Sequence, residues 1–144
     1  MRIYLAARWS RREELKGYAL QLADAGHEVV SRWLYDERRL EIGAPVEQGR
    51  PFARGDLFDL HRTECLIAFT EEPGKAGGRN RGGRHVEFGI ALGRRPHIRL
   101  MVVGHRENVF HYLAQVEFFE AWPAALQALT ATQVAPAPWP GVLP

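Results

Sequence analysis

Glu87 is the residue of this 144-residue chain around which a reactive site is most readily built. It lies in residues 82–91, GGRHVEFGIA, after a hydrophobic run of strand length. We expect Glu87 near the start of a helix, where unpaired N–H groups and the helix dipole favour an ionised carboxylate. An oriented carboxylate can act as a nucleophile. The alternative is that Glu87 only stabilises its helix, because acidic residues are common in first turns.

Two further positions carry suitable chemistry. Tyr4 interrupts an apolar run, and a buried phenol normally needs a hydrogen-bond partner. Asp56 and Asp59 lie three residues apart, on the same face of a predicted helix. A nucleophilic Glu, a Tyr that holds it and an Asp that handles the leaving group would suit two displacements at an anomeric carbon. The alternatives are that Tyr4 bonds to backbone in the core and that one aspartate is solvated surface.

Strand-length apolar runs alternate with helical patterns along the chain. Predicted strands cover residues 2–7, 27–34, 65–70 and 98–103, with a last strand or short turn at 109–116. Predicted helices are one that starts at a capping box, Ser10 to Glu13, and stops at Gly26, one over 52–63, the Glu87 helix and one over 119–129. This alternation predicts an α/β fold, a mainly parallel sheet of about five strands with helices on both faces. Ligands bind such sheets beyond the carboxyl ends of the strands, near the switch in strand order.

Three predicted loops meet at that edge: residues 8–10, the polar segment from Tyr35 onward, and the glycine-rich segment 71–83. The glycine-rich loop has neither the Lys-Ser/Thr ending of a Walker loop nor a G-x-G-x-x-G fingerprint, which argues against an ATPase and a dinucleotide-binding enzyme. Arg84, with Arg79 and Arg81, could receive a 5′-phosphate. For Arg79 and Arg81 the alternative is that they only keep the loop soluble.

Composition narrows the class of protein. A 46% hydrophobic content predicts one domain over residues 1–130, followed by a Pro-rich tail over 131–144. A net charge of +2, with the two signs interspersed, argues against dedicated nucleic-acid binding. The single cysteine, Cys65, and the histidine spacing indicate neither a disulfide framework nor a metal site. With no signal peptide or spanning segment in sight, we expect a cytoplasmic protein with no membrane partner.

The pattern Gly83-x-x-x-Glu87-x-Gly89-x-Ala91 resembles the nucleoside 2-deoxyribosyltransferase family, which includes nucleotide N-glycosidases. Ile3-Tyr4 in the first strand, and Asp56 eight residues before Glu64, support the resemblance, which runs over about residues 2–128. It implies a flavodoxin-like three-layer sandwich and cleavage of the N-glycosidic bond of a (deoxy)nucleoside or its monophosphate. It also implies no metal and no cofactor.

By the same resemblance, Glu87 would attack C1′, Tyr4 would orient it, and Asp56 would contact or protonate the departing base. A homodimer or larger homo-oligomer is implied, with Asn108 as the candidate contribution of a neighbouring subunit. The residues expected at the substrate are Ala7, Arg8, Trp9, Ser10, Gly83, Arg84 and Asn108.

One departure from the family pattern leaves the acceptor open. Transferases of the family often carry Asp-x-Gly-Thr before the catalytic segment, where this chain has Arg81-Gly82-Gly83-Arg84. Either water or a second base is therefore compatible with the sequence. Two alternatives from other classes are a non-catalytic nucleotide-sensing module and a basic nucleic-acid-binding protein.

Overall fold

The computed structural model describes residues 1–37, 40–41, 43–73 and 82–131. In this part of the chain, five parallel strands form one sheet in the order β2-β1-β3-β4-β5. The predicted α/β class and strand number are thus confirmed. The strands are β1 (Arg2–Ala6), β2 (Glu28–Val29), β3 (Cys65–Phe69), β4 (Arg99–Val103) and β5 (Val116–Phe119). The helices are α1 (Arg12–Asp24), α2 (Val46–Arg62), α3 (Gly83–Leu92) and α4 (Trp122–Ala131), and short 3-10 turns cover Trp9–Arg11, Arg32–Tyr35 and Val109–Tyr112.

Apolar side chains alternate along the strands and fill one core on each face of the sheet. Ile3, Leu5 and their neighbours pack against α1 and α4. Tyr4, Leu66 and their neighbours pack against α2 and α3. The result is the three-layer sandwich expected of a flavodoxin-like fold.

The switch in strand order lies between β1 and β3. From β1 the chain crosses through α1 to β2 on one side, and from β2 it returns through α2 to β3 on the other. Tyr4 pairs in register with Leu66 across this junction. Such folds bind ligands beyond the carboxyl ends of the strands at this junction.

The second strand is much shorter than predicted. Residues 27–34 were expected as one strand, but β2 holds only Glu28–Val29, and Arg32–Tyr35 forms a 3-10 turn. The reason is Ser31, whose buried hydroxyl oxygen accepts the Leu5 N–H at 2.6 Å, in place of a backbone carbonyl. The apolar pattern of this segment therefore reflects burial beside the sheet and not strand pairing.

Helix boundaries also differ from the predictions. The capping box from Ser10 to Glu13 is wrong, because Ser10 lies inside the 3-10 turn Trp9–Arg11, and the N-cap of α1 is Arg11 with no side-chain cap bond. Helix α2 starts at Val46, six residues earlier than expected, so part of the predicted loop 35–49 is helical. The last strand, Val116–Phe119, follows the 3-10 turn Val109–Tyr112 and does not coincide with residues 109–116.

The domain boundary is not tested, since the Pro-rich tail from residue 132 lies outside the described residues. Among the residues that are described, none of the helices has the length and apolar character needed to cross a bilayer.

Candidate active site

Tyr4 and Glu87 meet at the switch point. Tyr4 is fully buried in β1, and its hydroxyl donates a hydrogen bond to Glu87 Oε1 at 2.9 Å. Glu87 is half-buried on the face of α3 that turns toward the sheet. The contact predicted between these two residues is confirmed. Because Tyr4 is held by the core, it fixes one oxygen of the carboxylate and leaves the other to a ligand.

The two aspartates of α2 have different environments. Asp59 is 1% exposed, and both its oxygens accept hydrogen bonds from Arg32, at 2.8 and 2.9 Å from side-chain nitrogens and 3.1 Å from the backbone N–H. Asp56 is half-buried and lies close enough to Glu87 and Tyr4 to raise the pKa of both. Neither aspartate is therefore simply solvated surface, and Asp56 is the one that shares the site of Glu87.

The structure corrects the expected electrostatics of Glu87. It is the fifth residue of α3, and the first turn contains no acidic residue, so the free N–H groups of the helix start do not stabilise its charge. Burial raises the pKa of Glu87 to about 7, and Asp56 adds to this, while the hydrogen bond from Tyr4 opposes it. A carboxyl with this pKa is poised to gain and lose a proton near neutrality.

Asp56 and Tyr4 complete an acidic cluster. Burial, and then the neighbouring Asp59, raises the pKa of Asp56 to about 6. Burial also raises the pKa of the Tyr4 hydroxyl, and the Glu87 carboxylate raises it further, so Tyr4 stays protonated and donates. Two carboxyl groups with raised pKa values and a donating phenol can supply a nucleophile, a proton and an orienting bond at one site.

Arg84 lies one turn before Glu87 but pairs elsewhere. Its side chain is 3% exposed and donates through Nη2 and Nε to the two oxygens of Glu107, at 2.6 and 3.1 Å. Glu107 also accepts the Glu71 N–H at 3.0 Å. This pair ties the start of α3 to the segments that follow β3 and β4. The expected phosphate-binding guanidinium is therefore engaged with a carboxylate.

Asn108 lies beside the same pair. Its side chain caps the 3-10 turn by accepting the Phe110 N–H at 3.0 Å, and its amide nitrogen lies 3.4 Å from His85 Nδ1 and 3.2 Å from His111 Nε2. His85, which sequence reasoning gave no catalytic role, also lies 3.6 Å from Glu107. Whether Asn108 reaches a neighbouring subunit stays a prediction.

The loop after β1 borders the site. Ala7, Arg8 and Trp9 are half-buried and Ser10 is exposed. The Trp9 ring packs 6.2 Å from the Trp33 ring and carries the Arg12 guanidinium at 4.5 Å on its face. Trp33 in turn donates to the Leu5 carbonyl at 2.9 Å. These four loop residues remain predicted substrate contacts.

The segment after β3 is only partly described. Gly83 is the first residue of α3, preceded by Gly82 at the N-cap with φ +69°, a conformation that favours glycine. Arg79 and Arg81 lie outside the described residues, so the phosphate role predicted for them is untested. Directly after β4, Gly104 lets the chain lie close to Thr70 at the end of β3, since a Cβ there would lie 2.7 Å from Thr70 Oγ1.

The sequence did not single out Arg32 or Glu107. Arg32 pairs with Asp59, and Glu107 pairs with Arg84. Neither pair has a local signal, because Arg32 is 27 residues from Asp59 and Glu107 is 23 residues from Arg84. The sequence contains one indirect signal for such a partner. An aspartate on the predicted inner face of α2 needs a cationic partner once it is buried.

Comparison with known proteins relates this fold to two enzymes. The 2-deoxyribosyltransferase of the psychrotolerant bacterium Bacillus psychrosaccharolyticus superposes with a TM-score of 0.63 at 19% sequence identity, over 88% of this chain and 90% of that one. The CMP N-glycosidase of Clostridium botulinum gives a TM-score of 0.52 at 20% identity, over 90% of this chain and 98% of that one. No protein-family model and no curated protein sequence matches the chain.

These likenesses confirm the predicted resemblance at the level of the fold. Both solved structures belong to the kinds of enzyme that the Glu87 motif suggested, and each is covered almost from end to end. Because only about one residue in five is identical to either protein, the likeness establishes a shared architecture. What this chain catalyses depends on its own site.

Proposed function

We propose that this protein cleaves or transfers the N-glycosidic bond of a (deoxy)nucleoside or nucleoside monophosphate through a covalent glycosyl–Glu87 intermediate. The observation that carries the proposal is the 2.9 Å hydrogen bond from the buried Tyr4 hydroxyl to Glu87 at the switch point of the sheet. The fold shared with a 2-deoxyribosyltransferase and a CMP N-glycosidase supports it.

In the first step the free carboxylate oxygen of Glu87 attacks C1′ of the sugar. The C1′–N bond breaks, its electron pair passes to the base nitrogen, and a proton held by Asp56 neutralises the departing base. Burial and Asp59 raise the pKa of Asp56 to about 6, so part of the Asp56 population still holds that proton just below neutrality. Tyr4 keeps the nucleophile aligned and withdraws part of its charge when the ester forms.

In the second step water or a second base attacks C1′ and breaks the bond to the Glu87 oxygen. Two displacements at one carbon retain its configuration. Asp56, now deprotonated, accepts the proton of the incoming water or base. The carboxyl edge of the sheet, bordered by Trp9 and by the start of α3, would receive the nucleoside.

Assembly is part of the proposal. We expect a homodimer or larger homo-oligomer in the cytoplasm, in which Asn108 of one subunit reaches the site of the next. Light scattering at micromolar concentration tests the assembly directly. A monomer that still cleaves substrate at that concentration would show that one subunit suffices.

The decisive experiment traps the intermediate. Wild-type protein is incubated with a panel of 2′-deoxynucleosides and monophosphates, with and without a second free base, and then with a 2′-fluoro nucleoside whose glycosyl–enzyme hydrolyses slowly. Mass spectrometry should find the added sugar on the peptide that contains Glu87. An adduct on another residue would overturn the assignment of the nucleophile. Binding without cleavage of any substrate would favour a sensing module instead.

A further inference from the structure

Arg32 is held at the edge of the candidate active site by a network that the proposed mechanism does not use. Its guanidinium forms a two-pronged pair with Asp59, at 2.8 and 2.9 Å. The two partners differ in exposure, since the Asp59 side chain is 1% exposed and that of Arg32 is 55% exposed. A buried anion therefore anchors a guanidinium whose remaining surface reaches solvent.

The packing around Arg32 fixes its direction. Its stem crosses α2 at Gly55, where a Cβ would lie 3.1 Å from Arg32 Cδ, so glycine lets the side chain lie close against the helix. The ring of Phe58, also on α2, lies 5.2 Å from the guanidinium carbon of Arg32. Because little freedom remains, binding a ligand through Arg32 loses little side-chain entropy.

The solvent-facing part of Arg32 lines a cavity. Arg32, Tyr35, Asp36 and Glu37 line an open surface cavity of about 460 Å³. Asp56 belongs to the same region, because it shares a helical face with Asp59 and feels the charges of both Arg32 and Asp36. The cavity therefore adjoins the residue that we assign to the leaving base.

We propose that Arg32 contacts the nucleobase and selects bases that carry a carbonyl oxygen over adenine. This inference rests on the proposed function. A guanidinium has only donors, so it can bond to the carbonyl oxygen of hypoxanthine, guanine, cytosine or uracil. At the same place adenine presents an amino group, and two donors facing each other leave both unpaired.

Hypoxanthine and adenine give the sharpest test, because hypoxanthine carries a carbonyl group at position 6 where adenine carries an amino group. We expect wild-type protein to cleave 2′-deoxyinosine with a kcat/KM about tenfold or more above that for 2′-deoxyadenosine. Arg32→Gln should bring this ratio close to one, chiefly by raising KM for 2′-deoxyinosine. A wild-type ratio of one, or a ratio unchanged by Arg32→Gln, would overturn the inference.

Arg62→Gln is the matched control. Arg62 approaches the same Asp59 oxygen at 3.8 Å and the same Phe58 ring at 5.6 Å, but it does not line the cavity. If Arg32 served only to pin the turn against α2, the two variants would lower activity on both nucleosides without changing the ratio. We expect Arg62→Gln to keep the wild-type preference. Circular dichroism confirms that each variant is folded.

A binding measurement separates this inference from the proposed function. Free hypoxanthine and free adenine are titrated into wild type and Arg32→Gln and followed by ligand-observed NMR. Tighter binding of hypoxanthine that Arg32→Gln removes supports the base contact even if no nucleoside is cleaved, and the proposed function alone then fails. Equal binding of the two bases, or no binding of hypoxanthine, overturns the role of Arg32.

Discussion

Glu87 and Glu107 are two half-buried glutamates at the same edge of the sheet, and their surroundings push their pKa values in opposite directions. Burial raises the pKa of Glu87 to about 7 and the nearby Asp56 adds to this, while the hydrogen bond from the neutral Tyr4 hydroxyl only partly opposes the rise. Burial acts on Glu107 as well, but the bonds from Arg84 and the Glu71 N–H outweigh it and lower the pKa.

The difference separates the carboxylate that we propose as the nucleophile from a structural one. Glu107 is saturated with donors, so its charge stabilises a buried guanidinium and is not offered to a ligand. Glu87 has one oxygen bonded to a neutral donor and is poorly compensated, which keeps its carboxylate basic and nucleophilic. Poor compensation of a charge in a cleft is the pattern expected where chemistry takes place.

Replacing the reactive glutamate should have the largest effect on activity. Glu87→Gln keeps the shape of the side chain but removes the nucleophile, so we expect cleavage to fall by at least about 10³-fold. The free energy of unfolding should change by no more than about 1 kcal/mol, because a poorly compensated carboxylate contributes little to the fold. Single-turnover cleavage and urea denaturation measure the two quantities. Activity within tenfold of wild type would remove Glu87 from the mechanism.

Replacing the structural glutamate should reverse this pattern. Glu107→Gln leaves the Arg84 guanidinium buried without a countercharge, which should destabilise the fold by about 3 kcal/mol. The pKa of Glu107 is lowered from 4.5, so this contribution is complete above that pH and is lost as the pH falls through the lowered value. Denaturation at neutral and acid pH, with Glu87→Gln as the control, measures it. Equal stability of the two variants at neutral pH would contradict the distinction.

The contact between Tyr4 and Glu87 could be predicted from the sequence. The pair of Arg84 and Glu107 could not. Tyr4 and Glu87 lie on elements with strong patterns, an apolar strand and a glycine-initiated helix, and the βαβ rules bring those elements together. The pair of Arg84 and Glu107 depends on how the segment after β4 folds back over α3. Apolar periodicity contains no information about such a contact.

The second half of the site shows the same limit. Residues 27–34 have the apolarity of a buried strand, yet the Ser31 hydroxyl takes the Leu5 N–H and the chain turns at Arg32. This turn is what brings Arg32 to Asp59. One serine hydroxyl that replaces a backbone carbonyl as acceptor thus decides where the strand ends. Secondary-structure propensities contain no information about such a bond.

Glu87 is not only partly buried but also receives a hydrogen bond from the Tyr4 hydroxyl. Tyr4→Phe fits the same buried space but removes the 2.9 Å bond, so Glu87 loses its alignment and its pKa rises further. We expect kcat to fall by about 10²-fold. The KM should change little, because the phenol meets the nucleophile and not the base. Turnover within threefold of wild type would show that Glu87 is oriented by something else.

The smallest expected effect is the response of the reaction to pH, which tests whether Glu87 and Asp56 act as a coupled pair. Glu87 must lose its proton, with a pKa of about 7, and Asp56 must keep one, with a pKa of about 6. Cleavage should be fastest between these values, where the pair holds one proton, and should fall about tenfold per pH unit on either side.

Asp56→Asn dissects that profile. The variant cannot lose a proton at Asp56, so the decline at high pH should vanish. The decline at low pH should lie at the same or a higher pH than in wild type, because Asp56 is already neutral on that limb and its charge does not act on Glu87. Its rate should suffer most with bases that leave poorly without protonation. Steady-state kcat/KM from acid to mildly alkaline pH measures all three effects. A decline at high pH that persists in Asp56→Asn would mean that Asp56 does not supply the proton.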